Sequence, residues 1–267
     1  LQMIITDIKQ LGNLASYKTF YAVGCSFTNY RWPTWADILA EELPNAGYFN
    51  AGTSGAGNQY IFTVVSQIIN GVADLDHNDI LAIMWSGFYR EDRYIYGRHN
   101  NWVTPGNLYS QDTYPKVFTE QWCCPRGMTI RDMSLIDSAI RMLDSLPCRV
   151  IMTTGIGFDQ QDLYSGRAPD ADISDVVNCY KNIQPYLLPD LMSCQAPSGW
   201  KSGYSYEVNG EIFDDYHPSV LDYCDYLKKL GFELSTKTMA WAGEQHLKML
   251  NVKYKDELNE TPPWLIL

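Results

Sequence analysis

Along this chain, short runs of consecutive apolar residues alternate with longer stretches whose apolar positions recur every three or four residues. The runs Thr19–Val23, Gly47–Asn50, Ile80–Trp85 and Arg149–Thr153 read as strands buried on both faces. Each is followed by a helical pattern. Trp35–Leu43 places Trp35, Ile38, Leu39 and Leu43 on one side and stops at Pro44. Asn58–Ile69 does the same with Ile61, Val64, Val65, Ile68 and Ile69, and Arg131–Leu146 with Met133, Ile136, Ile140, Leu143 and Leu146. Val220–Leu230 and Thr238–Leu250 read as closing helices. Strand and helix in alternation predict an α/β fold: a three-layer α/β/α sandwich around a parallel, flavodoxin-like central sheet.

Two stretches break that rhythm. Residues 88–128 are rich in Tyr, Arg, Asn, Gly and Pro, too long for a simple connection and too aromatic for a linker. Residues 157–213 are expected to hold a helix around Ile173–Leu188 and a hairpin near Tyr204–Ile212, with Asn209-Gly210 as its turn. Both leave from the carboxyl edge of the sheet, where ligands of open α/β sheets bind. They are expected to wall the substrate pocket or cover it.

Composition narrows the function. With 267 residues, 46% hydrophobic and 19% charged, the chain reads as one globular domain spanning 1–267. A net charge of −11 without a basic run argues against nucleic acid as a partner. No apolar stretch reaches the roughly 18 residues of a spanning helix. The seven cysteines are odd in number and irregularly spaced, which favours reduced thiols in a cytoplasmic setting over a disulfide framework or a zinc site.

The chemistry-bearing segments lie far apart. Gly24-Cys25-Ser26-Phe27-Thr28 follows the first strand, and Asp214-Asp215-Tyr216-His217-Pro218 precedes a closing helix. Between them they supply a hydroxyl, an imidazole and an acid, the parts of a nucleophile–base–orienter relay: Ser26, His217 and Asp214, three residues before the histidine. Successive residues leaving a strand point oppositely, so only one of Cys25 and Ser26 faces the cleft, and Cys25 reads as a small buried filler. Asn50-Ala51-Gly52-Thr53-Ser54-Gly55-Ala56-Gly57-Asn58 opens a helix, where glycine amides could approach an anionic oxygen closely. Trp32-Pro33-Thr34-Trp35 reads as core at a helix start, and Arg90-Glu91-Asp92-Arg93 as a solvated loop with internal ion pairs.

Taken in order, Gly-Cys-Ser26-Phe, Asn50-x-Gly-x-x-Gly55, the strand ending at Trp85-Ser86-Gly87, and Asp214-x-x-His217-Pro resemble the blocks of the SGNH/GDSL hydrolases over about residues 19–230. The resemblance implies ester hydrolysis on acylated sugars, lipids or other small esters, without metal or organic cofactor. It assigns Ser26 as nucleophile, His217 as base and Asp214 as orienter, with the amides of Ser26 and Gly55 in the oxyanion hole. The third block departs from the pattern, because the family's Gly-x-Asn-Asp is absent after Trp85. Losing such a donor costs about 2.7–4 kcal/mol of transition-state stabilisation if nothing replaces it. Asn58, Ser86 and Arg90 are the candidate substitutes, with Asn58 favoured. The leading expectation is a serine esterase acting on a small acyl ester such as an O-acetylated carbohydrate. The alternatives are an impaired glycan- or acyl-binding protein and an acyltransferase of the same fold.

Overall fold

The computed structural model describes residues 3–72, 74–95, 102–109, 114–159, 172–194, 205–208 and 211–251. Five strands form one parallel sheet: β1 (Ile4–Ile5), β2 (Thr19–Val23), β3 (Gly47–Asn50), β4 (Asp79–Trp85) and β7 (Arg149–Thr154), in the order β1-β7-β4-β2-β3. Every residue of β4 is buried, as the unbroken run Ile80-Leu81-Ala82-Ile83-Met84-Trp85 requires of a central strand covered on both faces. The chain passes from β2 outward to β3 and then back across to β4. The crevice beyond the carboxyl ends of β2 and β4 is therefore the switch point of the sheet, where such folds place ligands.

Helices cover both faces. α1 (Trp35–Glu41), α6 (Val220–Leu230) and α7 (Thr236–Asn251) pack together on one side, while α2 (Asn58–Gln67), α4 (Pro125–Leu143) and α5 (Ser174–Cys179) pack on the other. The expected three-layer α/β/α arrangement is what the structure shows. Local chemistry explains the helix starts. Thr34 and Ser219 each close a capping box, with Asp37 and Asp222 respectively, and Gly231 ends α6 in a left-handed conformation. α4 begins six residues before the periodicity suggested, because Pro125 sits at its first turn, where a missing N–H costs nothing.

The two irregular stretches are only partly regular. The first carries the paired strands β5 (Arg93–Tyr94) and β6 (Trp102–Val103) and the short helix α3 (Lys116–Trp122). In the second, the helix expected over Ile173–Leu188 stops at Cys179. Pro185 then permits only a single tight 3-10 turn over Gln184–Tyr186. The expected hairpin is present as β8 (Ser205–Val208) against β9 (Glu211–Asp214), its turn at 209–210 lying outside the described residues. β1 escaped the sequence reading because two residues carry no periodicity. Among the described residues no helix is long and apolar enough to cross a membrane.

Candidate active site

β2 delivers Ser26 to the switch point. The chain folds back directly after the serine, with the amides of Thr28 and Asn29 both donating to Cys25 O (2.9 and 3.1 Å). Cys25 is buried in the core, and Ser26 lies at the floor of a cavity. Gly24 is required for space. A Cβ there would lie 2.1 Å from Thr28 Oγ1 and 3.1 Å from Met84 O, so any side chain would push the tight turn off the sheet.

His217 reaches the serine from the opposite end of the sequence. Its Nε2 is 2.8 Å from Ser26 Oγ, and its Nδ1 is 2.9 Å from Asp215 Oδ1. A carboxylate can only accept, so Nδ1 carries the hydrogen and Nε2 keeps the lone pair that accepts from Ser26. Asp215 Oδ1 also accepts from the backbone N–H of His217 at 2.9 Å, which closes a local turn of the Asx kind. Burial alone would raise the Asp215 pKa. The hydrogen bonds from His217 and Tyr30 and the charge of the ring outweigh it, and hold the carboxyl below its ordinary value.

The acid beside the histidine is therefore Asp215, and the expectation of Asp214 is corrected. Asp214 ends β9 on the exposed side, where its Oδ1 accepts from Ser205 Oγ across the hairpin at 2.8 Å. Neighbouring residues along an extended strand face opposite ways, so only one of the adjacent aspartates turns inward.

Tyr30 is the residue that sequence reasoning missed. Its ring stacks on the His217 imidazole at a centroid distance of 3.8 Å and an interplanar angle of 17°. Its hydroxyl donates to Asp215 Oδ2 at 2.7 Å, so one side chain fixes both the ring plane and the acid. Phe27 meets the His217 ring edge-on, with the centroids 5.4 Å apart. Trp32 is buried, as expected of core, but its indole N–H also donates to Pro218 O at 2.8 Å and ties down the histidine loop. The signal was a cluster of aromatics four to six residues past the serine, a pattern that ordinary packing also produces.

The opposite flank is built from the glycine-rich loop. Asn29 donates to Gly52 O, Asn50 donates to Thr28 O, and Thr53 N donates to Gly24 O, which stitches this loop to the serine turn. Gly55 has φ +76°, and a Cβ on it would lie 2.1 Å from Thr104 O, so both its handedness and its contact demand glycine. Thr104 and Gly106 dock here through Thr104 Oγ1 to Ser54 O and Gly106 N to Gly55 O, both 2.9 Å.

Asn58 does not reach the cavity. It is 0% exposed, donates to Ser86 O and Asp132 Oδ2 (both 3.1 Å), and accepts from Ser86 N at 2.8 Å. Its amide is used in joining the start of α2 to the end of β4, and the expectation of an oxyanion donor is corrected. The Ser86 hydroxyl is buried and does not line the cavity either.

The segment Arg90–Arg93 forms the expected internal ion pair, between Glu91 and Arg93, but departs from expectation in its burial. It is not a solvated loop: Asp92 is 0% exposed and Glu91 is buried. Asp92 accepts from Gly57 N (2.9 Å) and Tyr60 N (2.9 Å), capping the first turn of α2 from a distant part of the chain. Burial pushes its carboxyl up to about 6, with the two amides and Arg90 opposing. Glu91 pairs with Arg93 and Arg131, and Arg131 also bonds Asp132. Desolvating these carboxylates opposes folding, and the donors that each one finds offset that cost.

The cavity between the two flanks measures about 650 Å³. Ser26, His217 and Gly55 meet in it, with Phe27, Ile156, Met192 and Tyr216 supplying apolar walls and Ser54, Thr104, Asn107 and Arg90 polar ones. Such a volume suits a small organic ligand rather than an isolated acetyl group.

No protein-family model matches the chain, and no curated protein does. Among solved structures it is similar to a Bacillus subtilis protein, at 14% identity over 67% of this chain with a TM-score of 0.37; the chain spans 45% of that protein's length. It is also similar to a member of the lipolytic G-D-S-L family from Veillonella parvula, at 13% identity, covering 79% of this chain and 95% of that one, TM-score 0.44. A GDSL-like lipase from Bacteroides thetaiotaomicron is similar at 14% identity, covering 79% and 86%, TM-score 0.38. Identities this low and TM-scores under 0.5 leave the functional reading to the geometry.

Proposed function

We propose that this protein is a serine ester hydrolase that works through an acyl-enzyme. The observation that carries the reading is the unbroken series Ser26 Oγ, His217 Nε2, His217 Nδ1 and Asp215 Oδ1, joined at 2.8 and 2.9 Å on the floor of a ligand-sized cavity. As Ser26 Oγ attacks the ester carbonyl, its proton passes to His217 Nε2. The resulting imidazolium is stabilised by Asp215 and by the stacked face of Tyr30. The proton then passes to the leaving alkoxide, and a water activated by the same nitrogen releases the acyl group.

The carbonyl oxygen becomes an oxyanion in both halves of the reaction. The amides of Ser26 and Gly55 donate to no acceptor among the described residues, and both belong to the cavity lining, so they are the donors this reading assigns. The SGNH/GDSL resemblance supports the same division of roles, with Asp215 in the place given to Asp214. A small acyl group on a carbohydrate is the preferred substrate, a reading supported by the aromatic residues Phe27 and Tyr216 in the cavity lining.

The test is Ser26→Ala. Turnover of an activated short-chain ester, and labelling by a fluorophosphonate, should fall by about 10⁶-fold or to background while the fold is kept. Unchanged turnover in the folded variant would refute the proposal. A wild-type protein that binds ligand and is never labelled would point to binding alone.

A further inference from the structure

Among the described residues that line the cavity, Arg90 is the one permanently charged side chain, and no carboxylate lines it. Its setting is unusual in a chain of net charge −11. The guanidinium gives one N–H to Ala56 O at 2.9 Å and forms no ion pair among the described residues. The acids nearby have other partners. Asp92 takes the amides of Gly57 and Tyr60, Glu91 takes Arg93 and Arg131, and Asp132 takes Arg131 and Asn58. Arg90 acts on Asp92 only at a distance, and thus keeps N–H donors without a direct ion pair beside a cavity that also holds Ser26.

The backbone under it is held with equal care. Tyr89 is the one non-glycine residue with positive φ (+63°) among those described, a conformation that costs free energy and persists only where its surroundings enforce it. Leu108 N donates to Tyr89 O, Arg131 donates to Arg90 O, and Arg90 bridges to Asn107. Gly57 leaves the room for it: a Cβ there would lie 2.6 Å from Arg90 Cβ. A guanidinium fixed in advance, with no carboxylate in direct contact among the described residues, is suited to a planar carboxylate.

We propose that Arg90 docks a negatively charged substituent of the ester, so that the cavity selects acidic esters over neutral ones. The inference rests on the ester-hydrolase reading for its substrate, and its test is arranged to separate the two. The carboxylate could sit on the alcohol or on the acyl side. Two matched pairs distinguish these: 4-acetoxybenzoate with 4-acetoxybenzamide, and the phenyl monoester of adipic acid with that of adipamic acid.

In wild type, at least one pair should show kcat/KM favouring the carboxylate by about tenfold or more, the scale of one charge-assisted contact. Arg90→Gln should bring that ratio to near one, and Arg90→Glu should invert it, with far-ultraviolet circular dichroism confirming that both variants fold. A wild-type ratio near one for both pairs overturns the inference. So does a preference that Arg90→Gln leaves unmoved, since an equal loss on both members would make Arg90 a general support for every ester. Should no ester be turned over, the ester-hydrolase reading fails by itself. Calorimetric binding of 4-hydroxybenzoate against 4-hydroxybenzamide then decides the inference: preference for the anion, lost in Arg90→Gln, upholds it, and equal binding overturns it.

Discussion

Each flank of the cavity hangs on a buried aspartate, and the two carboxyls are shifted in opposite directions. Asp215, on the histidine side, lies below its ordinary value because an imidazole, a phenol and an amide all donate to it. Asp92, on the glycine side, is pushed up to about 6 although two amides at the start of α2 donate to it. The difference is what the donors can do. The imidazole beside Asp215 can itself take up a charge, so the pair shares the cost of burial. The backbone amides at Asp92 offer only partial charges and Arg90 acts on it without direct contact, so burial dominates. In the proposed function Asp215 supports a transient imidazolium, whereas Asp92 anchors a helix.

The largest effect expected from breaking this contrast lies on the histidine flank. Asp215→Asn should lower kcat by about 10⁴-fold, the loss seen when an orienting acid is replaced and the wrong tautomer results. Asp214→Asn should stay within a few-fold of wild type. Kinetics on the same ester settles which aspartate matters, and a larger loss at Asp214 would reverse the assignment made from the geometry.

On the glycine flank the readout is stability against pH. A raised folded-state value means that Asp92 contributes stability fully below its ordinary 3.8, and that this is lost as pH rises through about 6. Relative to Asp92→Asn, wild type should therefore lose about 1.4 kcal/mol per pH unit between those values. Urea midpoints of both proteins at pH 4.5 and 7 measure the change. A gap that does not move with pH would place Asp92 on the same footing as Asp215.

The smallest effect sharpens the account of Asn58. Asn58→Ala should cost about 1–3 kcal/mol of folding stability, because Ser86 and Asp132 lose a buried partner. An oxyanion role would instead lower kcat by about 10²–10³-fold with the urea midpoint unchanged.

The same two flanks explain what the sequence could reveal. Strands and helices were legible because the core is patterned: β2, β3 and α6 coincide with their expected bounds, and β4 and β7 differ by one residue. Ser26 and His217 were legible because each sits at a junction between apolar runs, where chain geometry restricts what a polar residue can do. The choice between Asp214 and Asp215 was not, since both fit a tight turn and only the register of β9 separates them. Asn58, Arg90 and Asp92 were misread for a different reason. Their partners lie 28 to 74 positions away, in Ser86, Ala56, Gly57 and Asp132, and no local spacing encodes those distances. Tyr30 fell between these cases, visible as an aromatic but not as a support for the histidine.

The contacts that complete the centre, from Tyr30 to Asp215, Trp32 to Pro218 and Ser26 to His217, join positions 185 to 191 residues apart. A ribosome must therefore add 191 residues after the serine before its base exists. Until then the emerging chain carries a hydroxyl without the imidazole that the proposed function requires to activate it. The relay thus forms only once these two distant segments have found each other.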